Sequence, residues 1–163
     1  MTEQIIASAI EVHRHLGPAL LESIYEEALC HEFGLRGIPF VRQIPVDVLY
    51  KGTAIKGQRL DLVVGGEVVV ELKSVRKVEE VFTAQILSYL KSTGLKKGLL
   101  INFGEARLVD GVRRFRGLRG RVYTFHKYSG TLIDQEGGGH GQIVTYRERK
   151  GKRGQPLKME RLD

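Results

Sequence analysis

Three charged residues stand at a spacing that suits phosphoryl chemistry. Asp61 lies in Arg59-Leu60-Asp61-Leu62-Val63, and Glu71-Leu72-Lys73 follows one hairpin later. Residues two apart on a strand project to the same face, so Glu71 and Lys73 point together. Asp61 falls on the preceding strand, across the Gly65-Gly66 turn signal, where its carboxylate can approach that of Glu71. Two carboxylates on adjacent buried strands repel each other and need a compensating cation. Such hard oxygen ligands suit Mg²⁺ or Mn²⁺. A lysine beside them can hold an attacking water or offset charge on a pentavalent phosphate. Phosphodiester hydrolysis is the reaction this set would serve. A structural ion pair on a half-exposed strand is the competing reading. Two features favour chemistry: the flanking strand residues are strongly apolar, and the next helix carries Gln85 and Tyr89 at i, i+4 on one face.

The elements that must position these residues can be traced from periodicity. Ile5, Ile6, Ala9, Ile10, His13 and Leu16 predict an amphipathic helix over 3–16, broken by Gly17-Pro18. A second helix is expected from about Leu20 to Phe33, with Leu21, Ile24, Ala28 and Leu29 inward and Gly34 as its stop. Phe40–Tyr50 reads as a strand ending in a Lys51-Gly52 turn, Leu60–Val64 as a short strand, and Val68–Lys73 as the next. The unbroken Val68-Val69-Val70 run predicts burial on both faces. Glu79–Thr93 is expected to be a helix with Phe82, Ile86, Leu87 and Leu90 as its apolar stripe and Gly94 as its cap, followed by a strand over Gly98–Phe103. A strand–helix–strand unit of this kind pairs parallel. The predicted class is α/β, a mixed central sheet flanked by helices in the order α-α-β-β-β-α-β. Past Asp110-Gly111 the composition shifts, with short strands conceivable at Val122–Phe125 and Gln142–Tyr146. The expected division is a domain over 1–116 and a basic, glycine-rich extension over 117–163.

The charge of +7 is unevenly placed. Residues 1–110 hold 13 Lys and Arg against 14 Asp and Glu, a net of −1, whereas residues 111–163 hold 13 against 5, a net of +8. A phosphate-binding surface and a solvated, poorly ordered tail both fit that excess. No apolar run approaches the roughly 20 residues of a membrane span. Met1-Thr2-Glu3-Gln4 has no basic n-region, so no secretory signal is expected. The single cysteine, Cys30, excludes an internal disulfide and a cysteine-based zinc site, and fits a reducing cytoplasm.

In their joint order, several strings resemble the GxxExxY family, a branch of the PD-(D/E)xK nuclease superfamily with a restriction-endonuclease-like core. They are Val12-His13-Arg14-His15-Leu16-Gly17-Pro18, Leu20-Leu21-Glu22-Ser23-Ile24-Tyr25-Glu26, Arg59–Val63, Glu71-Leu72-Lys73, Ala84-Gln85-Ile86-Leu87-Ser88-Tyr89-Leu90-Lys91 and Leu99–Gly104, together spanning about residues 5–116. The resemblance implies that Asp61 and Glu71 ligate Mg²⁺ or Mn²⁺ with the Leu72 carbonyl as third ligand. It makes Lys73 the catalytic lysine and Glu22 a helix-borne acid that completes the metal environment. Gln85 and Tyr89 match a Q-x-x-x-Y helix that would orient substrate or the lysine. The implied partner is nucleic acid, with DNA expected, and the implied roles are repair or defence. A non-catalytic nuclease-fold domain that binds nucleic acid or a protein is the alternative. A domain this small also suggests a homo-oligomer for holding a duplex. Two positions depart from the family pattern: Ala19 replaces the leading glycine, where an alanine suits a helix start, and Phe82 stands where a histidine is often found.

Other candidates read as structure. Glu22, Glu26 and Glu27 could be a solvated helix face, and Tyr25 and Tyr89 core aromatics with a hydroxyl at the rim. His13 and His15 point in different directions and cannot chelate one metal, and His13 on the apolar stripe is expected to be a hydrogen-bonded core residue. Cys30 is expected to be a small buried hydrophobe. Gly137–Gly141 lacks the Lys-Ser/Thr and helix of a phosphate loop. Arg147–Arg153 could touch a nucleic-acid backbone, without aromatics for base stacking apart from Tyr146.

Overall fold

The computed structural model describes residues 1–118 and four further strands at 121–126, 131–134, 146–149 and 158–161, with side chains described through Gly117. Two helices come first, α1 (Thr2–Leu16) and α2 (Glu22–Leu35). Three strands follow, β1 (Phe40–Tyr50), β2 (Thr53–Val64) and β3 (Val68–Lys73), then α3 (Glu80–Thr93) and β4 (Lys97–Asn102). A short 3₁₀ turn, Leu108–Gly111, leads into β5 (Val112–Leu118). Neighbouring strands in the sheet are consecutive in sequence; β3 and β4, joined through α3, pair parallel, and the flanking pairs β1–β2, β2–β3 and β4–β5 are antiparallel. This is the mixed sheet and element order that the sequence predicts. Beyond β5, β6 (Arg121–His126) contains the expected Val122–Phe125 strand and pairs antiparallel with β5. β7 (Thr131–Asp134), β8 (Tyr146–Arg149) and β9 (Lys158–Arg161) continue the sheet. Most of the Gln142–Tyr146 segment, and all of Gly137–Gly141, lie outside the described residues.

The two faces of the sheet carry separate cores. Ile5, Ile6, Ala9 and Val12 of α1 and Tyr25, Leu29 and Phe33 of α2 pack on Val68, Val70 and Leu72 of β3 and on Leu99 and Ile101 of β4. On the opposite face Ile86, Tyr89 and Leu90 of α3 pack on Val69 and Leu100. Alternating β3 residues thus serve opposite layers, which explains the unbroken valine run.

Several expectations are corrected. α2 begins at Glu22 and not at Leu20, and Leu21 is 72% exposed. Its inward residues are Tyr25, Glu26, Leu29, Cys30 and Phe33; Ile24 faces solvent. The helix also runs through Gly34 to Leu35, and Gly37 adopts the left-handed conformation after it. In α1, Ile10 and Leu16 are exposed, and Val12 takes the inward place. β2 is more than twice the predicted length. Its first half, Thr53–Gly57, is sustained by backbone pairing to β1 rather than by burial, so no hydrophobic signal marks it.

Candidate active site

β3 places Glu71 and Lys73 on the Val69 side of the strand, at the end where β2 and β3 part. The last β2–β3 pair is Leu62↔Val70, so Asp61 and Glu71 stand opposite one another one residue beyond the ladder. There Asp61 Oδ2 accepts a hydrogen bond from the Leu72 N–H at 2.8 Å, which ties the separated strands together. Lys73 Nζ donates to Glu71 Oε1 at 2.7 Å and lies 3.9 Å from Glu22 Oε1, at the first turn of α2. From the other layer, the Phe82 ring of α3 sits 5.0 Å from the same ammonium, so the residue at the expected histidine position makes a cation–π contact. Elements from both faces of the sheet therefore converge on one strand end.

Electrostatics mark this cluster as unbalanced. Glu71 is 1% exposed, and its Oε2 has no hydrogen-bond partner. Burial pushes the Glu71 carboxyl up to about 7, and the charges of Asp61 and Glu22 push the same way against the pull of Lys73. Burial also raises Asp61, opposed by the Leu72 N–H, and raises Glu22, opposed by Lys73. Burial alone would lower Lys73, but its hydrogen bond to Glu71 and the surrounding carboxylates outweigh it and raise the pKa. The lysine is thus held as an ammonium, one cation among three carboxylates.

Gln85 and Tyr89 bond to each other. Gln85 Nε2 donates to Tyr89 Oη at 2.7 Å, and Tyr89 Oη donates to the Arg59 carbonyl at 2.7 Å, two residues before Asp61. These hydrogen bonds fasten α3 to β2 beside Asp61, with the tyrosine buried in the α3-side core.

Three further residues were not singled out as site residues by sequence. Glu26, read as part of a solvated patch, is buried, pairs with Arg42 at 2.8 Å and accepts from Gln43 Nε2 at 2.7 Å. Gln43 has φ of 52°, a left-handed conformation that non-glycine residues seldom adopt, and sits between the pairs Arg42↔Leu62 and Ile44↔Leu60, opposite Asp61. The hairpin changes face at this point. Phe40, Leu62 and Val64 contact the α1–α2 core, whereas Ile44, Val46 and Leu60 belong to the α3 side. Asn102 is fully buried at the end of β4. Its Oδ1 accepts from the N–H groups of Val75 (3.0 Å) and Gly104 (3.1 Å), and its Nδ2 donates to the Val75 carbonyl at 2.8 Å. It thereby fixes the loop that leaves Lys73. A polar residue closing the apolar run Leu99-Leu100-Ile101 is the signal that could have exposed it. Gln43 carries no such signal.

The structural readings of the histidine, the tyrosine and the cysteine can be placed too. His13 Nε2 hydrogen-bonds the Glu105 carbonyl at 2.9 Å. Tyr25 is buried, stacks on Phe103 with centroids 4.2 Å apart, and donates its hydroxyl to the Gly17 carbonyl. Cys30 is buried, and burial raises its thiol to about 11. Ala19 is not a helix start: it has φ of 70° in the turn before α2, a conformation that suits glycine.

A family model of the PD-(D/E)XK nuclease superfamily matches residues 1–115. The chain belongs to that superfamily. No curated protein and no solved structure matches it. Nucleases of the PD-(D/E)XK superfamily typically use divalent metal ions. Among the described residues, no three acids, histidines or cysteines converge as a preformed metal cage. The donor set nevertheless fits a divalent cation, because one buried Glu71 oxygen has no partner and three carboxylates with raised pKa values face a single ammonium, which leaves two negative charges uncompensated when all three are ionised. Mg²⁺ is commonly held by one or two carboxylates, with water and substrate phosphate supplying the rest. Among the described residues, no helix is long and apolar enough to cross a membrane.

Proposed function

We propose that this protein is a metal-dependent nuclease that hydrolyses phosphodiester bonds of nucleic acid, with DNA as substrate, in repair or defence. The observation that carries the reading is Glu71, buried, with one carboxylate oxygen spent on Lys73 and the other without a partner. A desolvated carboxylate oxygen in that state is costly unless a cation completes it.

Asp61 and Glu71 would hold Mg²⁺ or Mn²⁺ with the Leu72 carbonyl, and Glu22 would complete the surroundings. The ion would polarise the phosphodiester and lower the pKa of water. Lys73, protonated by its acidic neighbours, would donate to the phosphate as negative charge builds on it. A base role for Lys73 fits less well, because its environment holds the proton on. Gln85 and Tyr89, by fastening β2, would keep Asp61 in place, and of the two the half-buried Gln85 would be the one to meet substrate. The N-terminal 116 residues would form the catalytic unit, and the basic excess beyond 110 would favour a polyanionic partner. A single cysteine fits a reducing, cytoplasmic setting.

The test is cleavage of labelled DNA with Mg²⁺ or Mn²⁺ by wild type and Lys73→Ala. Wild type should cut, and the variant should lose about 10³-fold in rate while keeping the wild-type circular dichroism spectrum at the assay temperature. Undiminished cleavage by Lys73→Ala would remove Lys73 from the mechanism.

A further inference from the structure

The β1–β2 hairpin outgrows the body of the protein. Its base is clamped to α3: Tyr89 Oη donates to the Arg59 carbonyl, Ser88 Oγ donates to Gln58 Oε1 at 3.1 Å, and Val46 and Leu60 are buried in the α3-side core. Past that clamp every residue from Leu49 to Gly57 is exposed, with Leu49 at 76% and Tyr50 at 62%. The tip is a tight turn in which Lys51 and Gly52 have φ of 48° and 82°, a geometry that matches the twist of a two-stranded ribbon.

The charge on the projecting ribbon is predominantly positive. From Val46 to Leu60 it carries three cations, Lys51, Lys56 and Arg59, against one acid, the exposed Asp47. None of the three makes a salt bridge among the described residues. Five arginines elsewhere are paired: Arg14 with Glu11, Arg36 with Glu32, Arg42 with Glu26 and Glu27, Arg107 with Asp110, Arg114 with Glu3. The hairpin cations, with no carboxylate partner among the described residues, share their hairpin with Asp61. At about 3.3 Å per residue, Lys56 is roughly 17 Å along β2 from Asp61 and the tip about 13 Å farther, a span of several phosphates. The acidic strand end needs such flanking cations if a polyanion is to approach it.

We propose that this hairpin is a substrate arm whose lysines track the phosphate backbone of a nucleic-acid strand leading into the Asp61–Glu71–Lys73 cluster. The proposal rests on the nuclease reading above. A second copy of the chain is the competing occupant, since β1 is the edge of the sheet. The edge is poorly shaped for continuous strand pairing, because Gln43 is left-handed, Pro45 lacks an N–H, and the register shifts between Val46 and Val48.

The experiment is fluorescence anisotropy of a labelled DNA oligonucleotide, with Ca²⁺ replacing Mg²⁺, against the full chain and Lys51→Ala/Lys56→Ala, over a range of salt. Both lysines are solvent-exposed, so melting temperature should not change. The double variant should bind about tenfold more weakly, and the slope of log Kd on log salt should shrink by about 2. Equal affinity and equal slope would overturn the arm while leaving the nuclease reading standing. Loss of a dimer in light scattering, with oligonucleotide binding unchanged, would reassign the arm to contacts between copies and overturn the proposal. If wild type bound no oligonucleotide, the nuclease reading would fail, and the arm with it.

Discussion

Glu71 and Asn102 are both buried polar side chains near the ends of neighbouring parallel strands, β3 and β4, and their surroundings treat them in opposite ways. Asn102 uses both polar atoms on the backbone of Val75 and Gly104. Glu71 has one oxygen on Lys73 and the other on nothing, and its pKa is raised to about 7. A buried polar group with every bond made is part of the scaffold. A buried carboxyl left short of a partner weakens the fold and is retained where chemistry uses it. Asn102 holds the loop after Lys73 steady, and in the proposed function Glu71 is the group that this steadiness serves.

The largest effect that would sharpen the contrast is expected on the scaffold side. Asn102→Ala should destabilise the protein by about 3 kcal/mol, because the Val75 N–H and carbonyl and the Gly104 N–H all lose their partner. A denaturant titration reads this directly, and a loss below about 1 kcal/mol would mean that the loop satisfies itself. Glu71 should respond in the other sense. Its folded pKa of about 7 lies above the ordinary 4.5, so the folded state binds its proton more tightly than the unfolded state does. Stability contributed by that proton is therefore full below about pH 4.5 and lost as pH rises through about 7. Metal-free wild type should lose on the order of 2 kcal/mol across this window, and Glu71→Gln should remove most of that loss. An identical pH profile in the variant would show that Glu71 is not strained by its burial.

The smallest effect separates polar strain from backbone strain. Ala19 is left-handed at φ of 70°, in the turn that Tyr25 and Ser74 brace through Gly17 and Leu20. Ala19→Gly should raise stability by about 1 kcal/mol without a pH dependence. A destabilised variant would mean that the lost chain entropy outweighs the relieved strain.

How much of this was legible in the sequence follows from which forces leave a trace there. Val68–Val70 read correctly because burial on two faces demands continuous apolar character. The Glu71–Lys73 spacing read correctly because strand parity alone puts both on one side. α2 was misplaced by its apolar entry, since Leu20 and Leu21 look like core yet lie outside the helix, and the inward face includes the charged Glu26. The outer half of β2 was missed because Lys56, Gly57 and Gln58 give no hydrophobic alternation, and cross-strand backbone bonds leave no mark on composition. Gln43 was invisible for a related reason. Its conformation is set by the turning of the hairpin from one layer to the other, a tertiary demand with no local residue preference behind it. The superfamily was readable because its motifs recur in fixed order along the chain.

The central claim is that Asp61 and Glu71 together take a divalent cation. Isothermal titration of Mn²⁺ into wild type and Glu71→Ala at pH 8, above the raised Glu71 pKa, tests it most directly. The account predicts heat of binding in wild type with proton release that fades above about pH 7, and no binding in the variant. Equal Mn²⁺ binding by both proteins would contradict it.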